Sequence, residues 1–100
     1  MVYKVTWSNL AVETYISNIE YLETAFTDKE VSRFINTVKR RIVLIAANPK
    51  LGSLTNKRKN IRKTVIHRRL ILFYRSKHKL MEIELVRFWG TRQHPRRRRL

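Results

Sequence analysis

The chain is predicted to be an α+β domain: an N-terminal strand, an α-helical hairpin, then a three-strand antiparallel meander, all in one sheet packed on the hairpin. Three observations in the sequence predict it. Residues alternate at the start, two apolar stripes follow at helical spacing, and three short apolar runs separated by polar turns come last. One hundred residues can close one core but not two. Residues 1–95 are therefore assigned to a single domain, and residues 96–100, which are basic, to a flexible tail.

The first strand rests on Tyr3, Val5 and Trp7, aromatic or β-branched residues in strict alternation. Ser8 and Asn9 then offer helix N-caps. Val12, Tyr15, Ile16, Ile19, Leu22 and Phe26 form the stripe expected to bury helix one. Thr27-Asp28-Lys29-Glu30 fits a capping box and starts helix two. Val31, Phe34, Ile35, Val38, Ile42 and Ile45 make its apolar face, and Asn48-Pro49 stops it.

Lys50 to Lys59 reads as a polar, basic connection. The strand-like runs are Asn60 to His67, Leu70 to Arg75 and Leu80 to Trp89, with turns at Arg68-Arg69 and at Ser76 to Lys79. The middle run is apolar on both parities, as in a strand covered on both faces. In its neighbours, Ile61, Val65, Met81, Ile83 and Leu85 are expected to face the helices. Arg62, Thr64, Ile66, Glu82, Glu84, Val86 and Phe88 are expected to face the other way.

Charge is sorted along this order. The first thirty residues hold five acids and two bases; the remaining seventy hold two acids and twenty-one bases, for a net charge of +16. Such an excess favours polyanionic partners, either nucleic acid or a strongly acidic protein. The absence of cysteine excludes a disulfide scaffold and a cysteine-ligated zinc site. His67, His78 and His94 lack metal-ligand spacing, so neither metal nor cofactor is expected. The apolar runs are too short for a signal peptide or membrane span, which points to the cytoplasm and away from membrane partners.

Three constellations carry functional weight. Lys57-Arg58-Lys59, continuing into Arg62 and Lys63, suits a phosphate backbone, whereas a loop kept soluble by charge does not need a single sign. Arg62 beside Glu82 or Glu84 has two readings: a cross-strand ion pair, or an arginine held by a carboxylate to address phosphate. The segment from Val86 to Pro95 presents Arg87, Arg92 and His94, and His94 has the right chemistry for a general acid or base. Cleavage of RNA at its 2′-hydroxyl needs only such a base, an acid and cations, so Arg62, Arg92 and His94 form a candidate catalytic set. Lys57, Arg58, Lys59, Lys63 and Arg87 form the candidate nucleic-acid contacts. The other function class open to these residues is a non-enzymatic basic nucleic-acid-binding or ribosome-associated protein.

Five segments, in order, resemble the RelE/ParE superfamily of bacterial type II toxins. They are Trp7 with its helix start, Asn48-Pro49-Lys50-Leu51-Gly52, Ile61-Arg62-Lys63, Leu72-Phe73-Tyr74-Arg75, and Val86-Arg87-Phe88-Trp89-Gly90-Thr91-Arg92-Gln93. The resemblance implies a growth-arresting toxin neutralised by a cognate acidic antitoxin, as in plasmid stabilisation. RelE-like members cut mRNA on the ribosome with metal-independent endoribonuclease chemistry; ParE-like members poison DNA gyrase and generally lack that catalytic set. Arg92 matches the arginine after the last strand. Ile71 stands where RelE-like nucleases tend to carry arginine, and no tyrosine follows Tyr74.

Overall fold

The computed structural model describes residues 2–67 and 70–90. The order is β1 (Lys4–Trp7), α1 (Asn9–Ala25), α2 (Asp28–Ala47), a 3-10 turn (Pro49–Leu51), β2 (Ser53–Asn56), β3 (Ile61–His67), β4 (Leu70–Lys77), a second 3-10 turn (His78–Leu80) and β5 (Glu82–Gly90). The five strands form one sheet in the order β1-β5-β4-β3-β2. β1 runs parallel to β5, and every other pairing is antiparallel. The hairpin covers one face.

Local chemistry sets the helix ends as the sequence predicts. Ser8 caps α1, its hydroxyl accepting from the Ala11 amide at 2.9 Å. At α2 the capping box is complete: the Glu30 amide donates to the Thr27 hydroxyl and the Thr27 amide to the Glu30 carboxylate. Asn48 ends α2, and Pro49 opens the 3-10 turn, where its missing N–H costs nothing.

Five expectations are corrected. The link after α2 contains a strand, β2, so the meander has four strands. Ser-Leu-Thr-Asn carries no apolar alternation; pairing with β3, Ser53 opposite Lys63 and Leu54 opposite Arg62, makes it a strand. The buried face of α1 is also rotated from the predicted stripe. Val12 and Ile16 are 41% and 49% exposed, while Ala11 and Asn18 are buried. Ala11, Thr14, Tyr15 and Asn18 keep helical spacing, but two are polar and one is small, so hydropathy overlooks them. Thr14 earns its inward place by accepting the Phe88 amide at 2.9 Å, and Asn18 donates to the Thr14 carbonyl.

The parity of β3 is inverted. Thr64 and Ile66 are buried and Val65 is 53% exposed. Arg41 of α2 fixes the inward phase by donating to the Thr64 hydroxyl at 2.7 Å. On β5, Ile83 and Leu85 face the hairpin as expected, but an irregularity then shifts the register. Tyr74 lies opposite Leu85 and Phe73 opposite Arg87, leaving Val86 as the extra residue. A bulge resets the alternation, so Phe88 turns inward instead of outward. There it packs on Trp7 and Tyr15, with ring centroids 5.5 and 5.2 Å away.

The β4–β5 turn also starts later than predicted. Ser76 and Lys77 extend β4, and Met81 belongs to the turn, with a left-handed φ of 54°. The expected turn at Arg68-Arg69 and the tail at 96–100 lie outside the described residues.

Candidate functional site

The sheet's second face is free of the hairpin, and the strand registers arrange it in rows. Val65, Ile71 and Trp89 lie side by side on β3, β4 and β5; the next row is Lys63, Phe73 and Arg87; the third is Ile61, Arg75 and Glu84. Together with Thr55 and Val86, residues Ile61, Ile71, Phe73, Arg87 and Trp89 line a shallow groove. Its floor is apolar and its middle row places an aromatic ring between two cations.

Arg87 is a half-buried cation on this face, beside the exposed Lys63 in the same row. Its guanidinium lies 4.8 Å from the centre of the Trp89 ring, and its Nε is buried without a hydrogen-bond partner. Among the described residues no carboxylate pairs with it. A planar cation held over an indole, with donors unspent, is pre-organised for a phosphate or carboxylate. Arg75, by contrast, is committed to Glu84 at 2.8 Å, and Lys77 approaches the same carboxylate at 3.6 Å.

The basic loop lies where the sequence places it. Residues 57–60 form the β2–β3 turn, and Lys57, Arg58 and Lys59 are exposed in it. Asn60 takes a φ of 55° and anchors the turn by donating to the Ser76 carbonyl at 2.8 Å. Asparagine tolerates this left-handed geometry better than most residues.

Arg62 is not a partner of Glu82 or Glu84. It points to the hairpin side and donates to the Gly52 carbonyl at 2.8 Å. Tyr74 completes the arrangement: the Gly52 amide donates to its hydroxyl at 2.8 Å, and that hydroxyl donates to the Pro49 carbonyl at 2.7 Å. A Cβ at Gly52 would stand 2.6 Å from the Lys63 carbonyl oxygen, so only glycine fits without displacement. Arg62 and Tyr74 thus bolt the link after α2 onto β3 and β4. The signal for this was the cross-strand register, which pairs Arg62 with Tyr74.

Of the candidate catalytic set, Arg92 and His94 lie outside the described residues, and Arg62 stands apart from the groove. The described site therefore consists of Lys63, Phe73, Arg87 and Trp89, with the basic loop at its edge. Among the described residues no cluster of His, Asp or Glu is placed to hold a metal ion, and no helix is long and apolar enough to cross a membrane.

Burial raises the pKa of the Tyr74 phenol above its ordinary 10.0, against smaller lowering effects from the Gly52 amide and Arg62. Tyr15 is raised by burial alone. A group whose pKa is raised by folding contributes stability that is complete below its unfolded value and lost as pH climbs through the folded one. The denaturation midpoint is therefore expected to fall above pH 10.0. A Tyr15→Phe variant, which keeps the ring and removes the proton, should fall less steeply in the same titration.

The family described as "ParE toxin of type II toxin-antitoxin system, parDE" matches residues 5–95. A chain of the chromosomal ParDE system from P. aeruginosa superposes with a TM-score of 0.71 at 12% identity, covering 89% of this chain and 96% of that one. A chain of the RelBE2 toxin-antitoxin complex from Mycobacterium tuberculosis gives a TM-score of 0.58 at 11% identity, with 90% and 99% covered. A metal-bound toxin from Helicobacter pylori gives 0.54 at 16%, with 91% and 97% covered. At these identities the structural likeness speaks for the fold alone. No curated protein matches the chain by sequence.

Proposed function

Because this chain belongs to the ParE toxin family of type II toxin-antitoxin systems, we propose that it arrests growth by poisoning DNA gyrase in the cytoplasm. On this reading it is a binding toxin rather than a nuclease, and an acidic cognate antitoxin silences it by covering the open sheet face. The observation that carries the choice is Arg62. The described arginine of the candidate catalytic set is committed to the Gly52 carbonyl on the hairpin side. The middle row of the open face instead offers Lys63 and Arg87 on either side of Phe73, two cations suited to binding an anionic partner. Phe73 and Trp89 supply apolar surface between and beside them. Lys57, Arg58 and Lys59 extend the same positive field beyond the groove, steering an anionic partner toward it.

The test is induction of the chain without its antitoxin. Growth should stop, supercoiling by purified gyrase should be inhibited, and primer extension should find mRNA uncut. Ribosome-dependent mRNA cuts with gyrase unaffected would overturn the gyrase assignment. Undisturbed growth with soluble, folded protein, together with salt-sensitive nucleic-acid binding, would favour the non-enzymatic binding module instead. Arg87→Glu is expected to lower toxicity at least tenfold without loss of folding, since its side chain serves the open face and not the core. Growth arrest at wild-type strength in that variant would remove Arg87 from the site.

A further inference from the structure

We infer that the outer face of the α1–α2 hairpin is a self-association surface whose occupant is a second copy of this chain. The face is separate from the sheet groove, and two independent properties single it out. The first is exposed apolar surface: Leu10 and Ile16 on α1, and Val43, 67% exposed, on α2. The second is opposed charge on the two helices. α1 carries three carboxylates and no base, whereas α2 carries five bases against two acids.

The charges are also in register. The helices are joined by a two-residue turn, so positions equally far from it lie level with one another. Glu20 is five residues before the end of α1, and Arg33 is five after the start of α2. Glu13 and Arg40 are each twelve away, and Leu10 and Val43 each fifteen. All six are exposed. None of the four charged groups forms an ion pair with another described residue of its own chain.

A two-fold axis parallel to the helices would lay α1 of one copy antiparallel on α2 of the other. Because the levels match, that single operation places Glu20 against the partner's Arg33, Glu13 against the partner's Arg40, and Leu10 against the partner's Val43. Each contact occurs twice, as an isologous interface requires. The result is a four-helix layer with a basic sheet on each outer side, so the strongest like charges lie farthest apart.

Size sets the strength. Helices of 17 and 20 residues are about 26 and 30 Å long at 1.5 Å per residue. Two helices side by side bury on the order of 500–600 Å² per partner, at the low end for specific interfaces. The dimer should therefore be weak and governed by its charges.

Sedimentation equilibrium of the purified chain, run up to about 1 mM, should show a monomer–dimer equilibrium. Glu20→Arg and Arg33→Glu each place like charges at both symmetry-related contacts and should weaken the dimer roughly tenfold or more. Mixing the two single variants should restore it as a heterodimer. The two substituted side chains then meet as an inverted ion pair at one contact, and the native Glu20 and Arg33 meet at the other. Restoration cannot come from misfolded chains. A wild-type monomer throughout the range, a dimer indifferent to either substitution, or failure of the mixture to associate would each overturn the proposal. So would a monomer whose antitoxin complex is weakened by Glu20→Arg, which would assign the face to the antitoxin.

Discussion

Phe88→Ala is expected to destabilise the fold by about 3–5 kcal/mol, the range for emptying a fully buried aromatic site. Phe88 is 1% exposed and is held between Trp7 of β1 and Tyr15 of α1. Its own amide is tied to Thr14. The ring is therefore where the parallel edge strand, the first helix and the last strand meet, and nothing nearby can collapse into the space without parting them. Denaturant titration of wild type and variant measures the loss directly. The adjacent Trp89→Ala, on the open face, should cost far less stability and should act on function instead. Similar midpoints for the two variants would contradict the inward phase that the bulge at Val86 gives Phe88.

Tyr74→Phe is expected to cost roughly 2–6 kcal/mol, because it leaves a buried N–H and a C=O without partners at about 1–3 kcal/mol each. The groups concerned are the Gly52 amide and the Pro49 carbonyl. Arg62→Ala removes the neighbouring tie to the Gly52 carbonyl. Any loss of toxicity in Arg62→Ala should accordingly track a loss of stability and return at lower temperature. A catalytic arginine would instead leave a stable, inactive protein. A double-mutant cycle between Tyr74→Phe and Arg62→Ala should show coupling, since both hold the same glycine. Additive losses would mean that the two residues act separately.

Much of this architecture was legible in the sequence because the signals are local. The Ser8 cap, the Thr27–Glu30 box and the stop at Asn48-Pro49 each act within a few residues. The apolar face of α2 is likewise self-contained, with Val31, Val38 and Ile45 buried as their spacing requires. What escaped depends on partners distant in sequence. β2 has no pattern of its own and exists through β3. The inward phase of β3 is set by Arg41 on another element, and the direction of Phe88 by one inserted residue in β5. Lys63 and Arg87 were named from the sequence as contacts, but the face they share and its apolar floor were hidden. Ile71, Phe73 and Trp89 share that face only once the register is known.

The parallel pairing of β1 with β5 bears on how the chain comes to be folded in a cell. Ser8 bonds to the Val86 carbonyl across 78 residues, so β1 must wait for β5 before it can pair. Contacts that span so much chain form late and slowly. Until β5 is made, Leu72 and Tyr74 of β4 lack one neighbouring strand and the aromatic cluster lacks Phe88. Arg87 and Trp89 belong to that same late strand. Translation thus delivers the proposed binding face and the keystone of the core together.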